Sequence, residues 1–414
     1  MNSYFSLSDK IYDITEKYPE LIDFLVVKGF TQLQNKMLRS TMGKTISLEK
    51  ALLSKHYDVA SFEKEMVELI ERKNLDNSSD LGVVKKAVIK DNSDEITIKG
   101  VLPCPIRVQI LQQVEQWIKQ KNLSVNYNLP AASMGLDWLE TEIRQSCEEA
   151  DLADIYLSAG FNLFFDKKLL GHYSENNVFA DITGIKKLNP IFDNDYIDLK
   201  DPKKQYYIIG VVPAIFSVNE QLLGDRKFPR SWEDLLSPEF ENTIALPMKD
   251  LDLFNAVLLG IYKAYGAEGV AKLGRNLMRS MHPAQMVKEG KQKKSEKTPL
   301  ITIMPYFFTC MINEKDALKP VWPSDGAIIS PIFLLCKKSA QEKIKPLIDF
   351  LTSAKMGEVL SVNGKFPSTS PEVDNHLDTE QKFLWAGWDF IHSHDIGKLL
   401  VETENIFLNA CGGK

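Results

Sequence analysis

EITIKGVLPCPIRVQILQQVEQWIKQKNLSVNYNLPA, residues 95–131, sets the fold class. Glu95–Pro103 reads as a strand closed by a proline turn, Ile106–Asn122 as an amphipathic helix and Leu123–Ala131 as the next strand. The alternation continues with a helix in MGLDWLETEIRQSCEEA (134–150) and a third strand in ADIYLSAG (153–160). Strand–helix units of this length predict an α/β fold, its largely parallel sheet carrying helices on both faces. In such sheets solutes settle at the carboxyl ends of the strands, where loops and helix N-termini converge.

Toward the C-terminus, YYIIGVVPAIFSVNEQLL (206–223) is a long apolar, β-rich run, suited to a strand passing from one lobe to another. A second α/β region runs from RSWEDLLSPEFENTIALP (230–247) through PLITIMPYFFTCM (299–311), and GAIISPIFLLCKK (326–338) offers a return path. Two crossings predict a first lobe of residues 95–212 and 322–414 and a second of 213–321. Within PRSWEDLL, Ser231 is placed to cap a short helix, Glu233 and Asp234 suit the positive end of its dipole, and Trp232 and Leu235 face the core.

Toward the N-terminus, Ile14, Tyr18, Leu21, Ile22, Leu25 and Val26 recur at helical spacing, with Gly29 at the C-cap position. A second helix is expected in ISLEKALLSKH, capped by Ser47, and a third in SFEKEMVELIERK, with Phe62, Met66, Leu69 and Ile70 on one face. Residues 1–75 thus read as a small helical bundle, and the polar run in residues 76–94 as a linker.

The chain has 414 residues and a formal net charge of −6, so no global basic footprint for nucleic acid exists. The one dense basic run, Lys288–Lys297, reads as a solvated loop or helix end. No segment approaches the roughly 18 uninterrupted apolar residues of a membrane span. Cys104, Cys147, Cys310, Cys336 and Cys411 are odd in number and widely spaced, which suits a reducing compartment. The first twenty residues show neither a secretory leader pattern nor a lipoprotein cysteine, so the expected location is cytoplasmic. No Gly-rich phosphate loop, GxSxG, HExxH or dinucleotide fingerprint occurs, which points away from an enzyme.

Pro229, Ser231, Trp232, Asp234, Leu235 and Leu236, with ADIYLSAG, IYKAYGAEGVAKL and the stretch from Trp322 to Leu360, resemble the ABC-transporter solute-binding proteins of the type II periplasmic-binding-protein fold. The likeness spans roughly residues 95–400 and is nearest to the ferric-iron and inorganic-ion group. It implies a non-enzymatic protein that closes two lobes over a small ion, a metal or an oxyanion, with an ABC transporter as partner. The alternative is a cytoplasmic enzyme or ligand-responsive regulator built on the same lobes. IYDITEKYPELIDFLVVKGF is similar to a small domain of unknown function found beside hybrid-cluster-type proteins. The following stretch lacks that domain's cysteines, so a docking or dimerisation role is expected in place of cluster binding.

The resemblance puts a cleft among the loops that follow the strands. Ser133 and Ser158 are its ligand-binding candidates on one side and Lys249 and Tyr306 on the other, with Cys104 and Asp325 in two further loops. Lys249 lies just before a helix and could add charge beside N–H groups that suit an anion. Ferric-binding relatives present paired tyrosines, with His or carboxylates opposite, as hard Fe(III) prefers. Here Phe307 follows Tyr306, and Cys104 stands where an acid or His is expected, leaving an oxyanion or a chelated metal open. Cys104, Tyr306 and Cys310 could form a softer metal site, and His392 with His394 could clip a metal. The bland readings are buried, inert cysteines and surface histidines.

Overall fold

The computed structural model describes residues 4–34, 36–55, 95–132, 135–248, 251–290 and 298–412, with scattered positions between 57 and 70. The chain forms two compact units, Met1–Asn92 and Ser93–Lys414.

In the first unit the helices are α1 (Ile11–Lys17), α2 (Glu20–Val27), α3 (Lys36–Met42) and α4 (Leu48–Ser54). The continuous helix expected through Ile14–Val26 is broken at Pro19. Proline disfavours the helical region for the residue before it, and Tyr18 stands at φ −129°, ψ 78°. Gly29 follows α2 with φ +85°, the left-handed stop its position predicts. Ser47 caps α4 by accepting the Lys50 N–H. The stretch after Gly29, which carried no helix expectation, supplies α3. Phe62, Met66 and Ile70 are buried as their spacing requires. The remainder of that expected helix, and the 76–94 linker, lie outside the described residues.

The second unit holds a ten-stranded sheet in the order β2-β1-β3-β9-β4-β7-β5-β6, with β8 against β4 and β10 against β9. The strands are β1 (Ile96–Gly100), β2 (Val125–Asn128), β3 (Ile155–Ala159), β4 (Tyr206–Asn219), β5 (Ile244–Leu246), β6 (Leu277–Ser280), β7 (Ile301–Pro305), β8 (Leu318–Val321), β9 (Ala327–Cys336) and β10 (Phe383–Leu384). β1 runs parallel to both β2 and β3, joined by α5 (Arg107–Lys121) and α6 (Asp137–Gln145) as the alternation predicts. β5 lies parallel to β6 and β7 in the far half of the sheet.

Two strands carry the chain between these halves. β4 pairs antiparallel with β9 from Tyr206 to Ala214, then with β7 and β8 from Ala214 to Asn219. β9 pairs with β3 on its other side. Each carries a proline at the crossing, and Pro213 and Pro331 flank the Val212–Ser330 pair. Proline gives no N–H to a ladder, so the sheet is weakened where a bend between the halves would fall.

Candidate functional site

The motif PRSWEDLL folds as its residues dictate. Ser231 accepts the Asp234 N–H at 3.0 Å and Asp234 accepts the Ser231 N–H at 3.1 Å, a reciprocal capping box on α8 (Trp232–Leu235; α7 is Asn162–Phe165). Trp232 and Leu235 are fully buried, Trp232 edge-on to Phe216. The WPSDG turn grips this helix from 93 residues downstream, through Asp325 to the Trp232 N–H and through the Gly326 carbonyl to the indole N–H.

Two segments meet where the family's cleft is expected. After β7 the chain turns into a 3-10 helix, Tyr306–Met311, which holds Tyr306 half-buried against the edge of Trp322. Facing it is a wide turn of π-type, Val359–Asn363, that delivers Gly364, Lys365 and Phe366. Gly364 is needed there, because a Cβ would come within 2.5 Å of Ile106 Cγ2. Lys365 takes a left-handed backbone, φ +50°, and sets its ammonium 4.9 Å from the centre of the Tyr306 ring. Phe366 lies parallel to Phe307 at 6.3 Å. Immediately beyond, the Pro367 carbonyl accepts the Val211 N–H at 3.0 Å, and Thr369 bonds the main chain of Ile208 and Ile209. One short segment therefore joins the contact with Tyr306 and Phe307 to the crossing strand.

The six sequence candidates fall in different surroundings. Tyr306 makes the contact with Lys365 just described, and Cys104 is exposed in the turn after β1 that leads to Ile106. Ser158 is fully buried, its hydroxyl donating to the Ala159 carbonyl at 3.0 Å. The Asp325 carboxylate accepts the Trp232 N–H and the Tyr265 hydroxyl. Ser133 and Lys249 lie outside the described residues. Lys365 and Phe366 were missed, because GKFP signals only a turn and nothing local reveals which ring they meet.

For metal chemistry, no group of three or more His, Cys, Asp or Glu residues gathers at an ion-sized site among the described residues. Burial pushes the Cys310 thiol up, with the Lys365 charge working the other way, so the thiolate a soft metal needs is disfavoured. His392 bonds the buried Asp201 at 3.1 Å, while His394 stacks on Phe390 and bonds its carbonyl. The two rings thus serve separate partners. No helix among the described residues is long and apolar enough to cross a membrane.

Residues 150–394 match the family model described as bacterial extracellular solute-binding protein, and residues 5–62 match a domain of unknown function, DUF1858. No curated protein matches. Similar solved structures include a ferric binding protein from Campylobacter jejuni, 16% identical with a TM-score of 0.52, over 76% of this chain and 99% of that one. Iron-bound HitA from Pseudomonas aeruginosa is 10% identical with a TM-score of 0.54, over 76% and 99%. The periplasmic binding protein AfuA from Actinobacillus pleuropneumoniae, with fructose-6-phosphate bound, is 14% identical with a TM-score of 0.55, over 77% and 98%. At these identities the likeness establishes the type II periplasmic-binding-protein fold.

The cytoplasmic expectation is corrected by the same match, which is to a family of extracellular proteins with periplasmic structural neighbours. The signals behind that expectation carry no such information. An odd, widely spaced set of cysteines is no sign of compartment in a fold whose extensive apolar core needs no disulfide. The N-terminal residues read for a leader instead build a folded unit, with Phe5, Ile11 and Ile14 buried. With its motif, crossing strands and matched span in agreement, the chain belongs to the bacterial extracellular solute-binding protein family.

Proposed function

We propose that this protein captures a small solute bearing an oxyanion, free or chelating a metal, between its two lobes for delivery to an ABC transporter. The carrying observation is the Lys365 ammonium over the face of the Tyr306 ring, a cation held half-buried against an aromatic side chain. A partly desolvated lysine favours an anion more strongly than one in open water. A bare ferric ion would want several anionic oxygens, and a cation already at the site repels it. Phe307 in place of a second tyrosine points the same way. Among the structural neighbours, AfuA carries a sugar phosphate, and a Trichodesmium protein holds iron together with citrate. Cys104, exposed in the turn after β1, is a further polar group offered to the solute, and the sequence adds Ser133 and Lys249.

Calorimetry on the full chain with inorganic phosphate, citrate and ferric citrate tests this reading. Heat of binding from at least one of the three, lost in Lys365→Met, is expected. Binding of ferric ion alone, with no response to any anion and no effect of Lys365→Met, would overturn it.

A further inference from the structure

Gly160 closes β3 in the first half of the sheet, and Asp252 lies at the start of α9 (Leu251–Asn276), just beyond β5 in the far half. Three strands, β9, β4 and β7, separate β3 from β5 in the sheet, yet the two residues touch. Gly160 has φ +103°, and a Cβ on it would fall inside contact distance of Asp252 Oδ1 and 2.9 Å from Asp252 Cγ. The missing side chain therefore makes the hollow in which the carboxylate sits. The positive φ favours glycine there, and a Cβ would have to push the carboxylate aside.

This contact joins the same two halves as the Phe307–Phe366 and Lys365–Tyr306 contacts, from the turn after β3 where those start from the turn after β7. The crossing strands between them are weakened at Pro213 and Pro331. We propose that Asp252 is an inter-lobe latch: its carboxylate seats over Gly160 to hold the lobes together, and a solute must displace it to enter. The latch rests on the geometry of this chain, and it holds or fails whatever solute the cleft takes. It would also set a threshold for capture, since apparent affinity falls in proportion to the fraction of molecules that are open.

Hydrogen exchange on the full chain, in buffer free of phosphate and carboxylates, tests the latch. Asp252→Ser should speed exchange about tenfold in the peptides carrying Gly160–Phe165 and also in those carrying Phe307 and Phe366, as expected when a closed form dominant by that factor is lost. Gly160→Ala should do the same with Asp252 intact, because its methyl group fills the hollow. The double variant should go no further than Asp252→Ser, since both changes break one contact. Should Gly160→Ala fold poorly at its positive φ, the Asp252→Ser result stands alone. Faster exchange confined to Gly160–Phe165, with Phe307 and Phe366 unchanged, would overturn the latch. So would no change anywhere. No solute is present, so the outcome is separate from that of the oxyanion reading.

Discussion

Asp325 and Trp232, 93 residues apart in the chain, are joined by the Asp325 carboxylate accepting the Trp232 main-chain N–H at 2.9 Å from one oxygen and 3.1 Å from the other. Tyr265 donates its hydroxyl to the same carboxylate at 3.2 Å, and burial with the nearby charge pushes that phenol up to about 12. Asp325→Ala leaves both donors without their acceptor. It should cost about 1–3 kcal/mol, measured as a shift in denaturant midpoint at constant slope.

The same carboxyl gives a pH test. Burial raises its pKa above the ordinary value of 3.8, outweighing the N–H and hydroxyl donors that lower it. The folded chain therefore holds this proton more tightly than the unfolded chain. Its contribution to stability is full below the unfolded pKa and is lost as pH rises through the raised, folded one. Asp325→Asn removes that titration while keeping an acceptor. Relative to the parent, the variant should gain stability as pH rises above about 4. A parent-minus-variant difference that does not change as pH rises above about 4 would show that the carboxyl is not held up by burial.

The capping box on α8 offers a smaller, local check. Ser231→Ala removes the acceptor of the Asp234 N–H and should cost about 1 kcal/mol, whereas Ser231→Asp should cost little. Thermal melts of the two variants side by side separate the cap from any general effect at the site.

The two compact units predict that the chain beginning at Ser93 folds alone. The structural neighbours are covered over 98–99% of their own length by about three quarters of this chain, so the fold is complete without an added N-terminal unit. A fragment of residues 93–414 should melt in one cooperative transition and keep the phosphate or citrate response of the whole protein. A fragment that does not fold, or folds and loses that response, would show that the N-terminal unit takes part in the lobes or the site.

What the sequence discloses is governed by range. β1, α5, β2, α6 and β3 were readable because period-2 and period-3.6 patterns are local, and the two crossing strands because long apolar β-rich runs are rare. The break at Pro19 was equally local and should have been read from the proline itself. The cleft was only half legible. Tyr306 follows a strand in a recognisable place, but Lys365, Phe366 and the Gly160–Asp252 contact depend on which loops the folded lobes bring together. Asp325 shows the converse, since a carboxylate in a conspicuous PSDG turn has its acceptors engaged by a helix that the turn gives no hint of.

Lys365 permits the sharpest separation of function from stability. Its left-handed backbone costs a non-glycine residue about 1–2 kcal/mol, and Lys365→Gly relieves that. Added freedom in the unfolded chain takes back about 0.4–1 kcal/mol, and the lost contact with Tyr306 about 0.5–1 kcal/mol more. The terms nearly cancel, so Lys365→Gly should melt within a few degrees of the parent. Lys365→Met keeps the backbone cost and the bulk but loses the charge, and should be the less stable of the two. Both should lose the phosphate or citrate response equally, because both lack the ammonium. If Lys365→Gly instead melts far below the parent, the lysine is a structural strut between the cleft wall and the crossing strand. If either variant binds phosphate as the parent does, the anion sits elsewhere in the cleft.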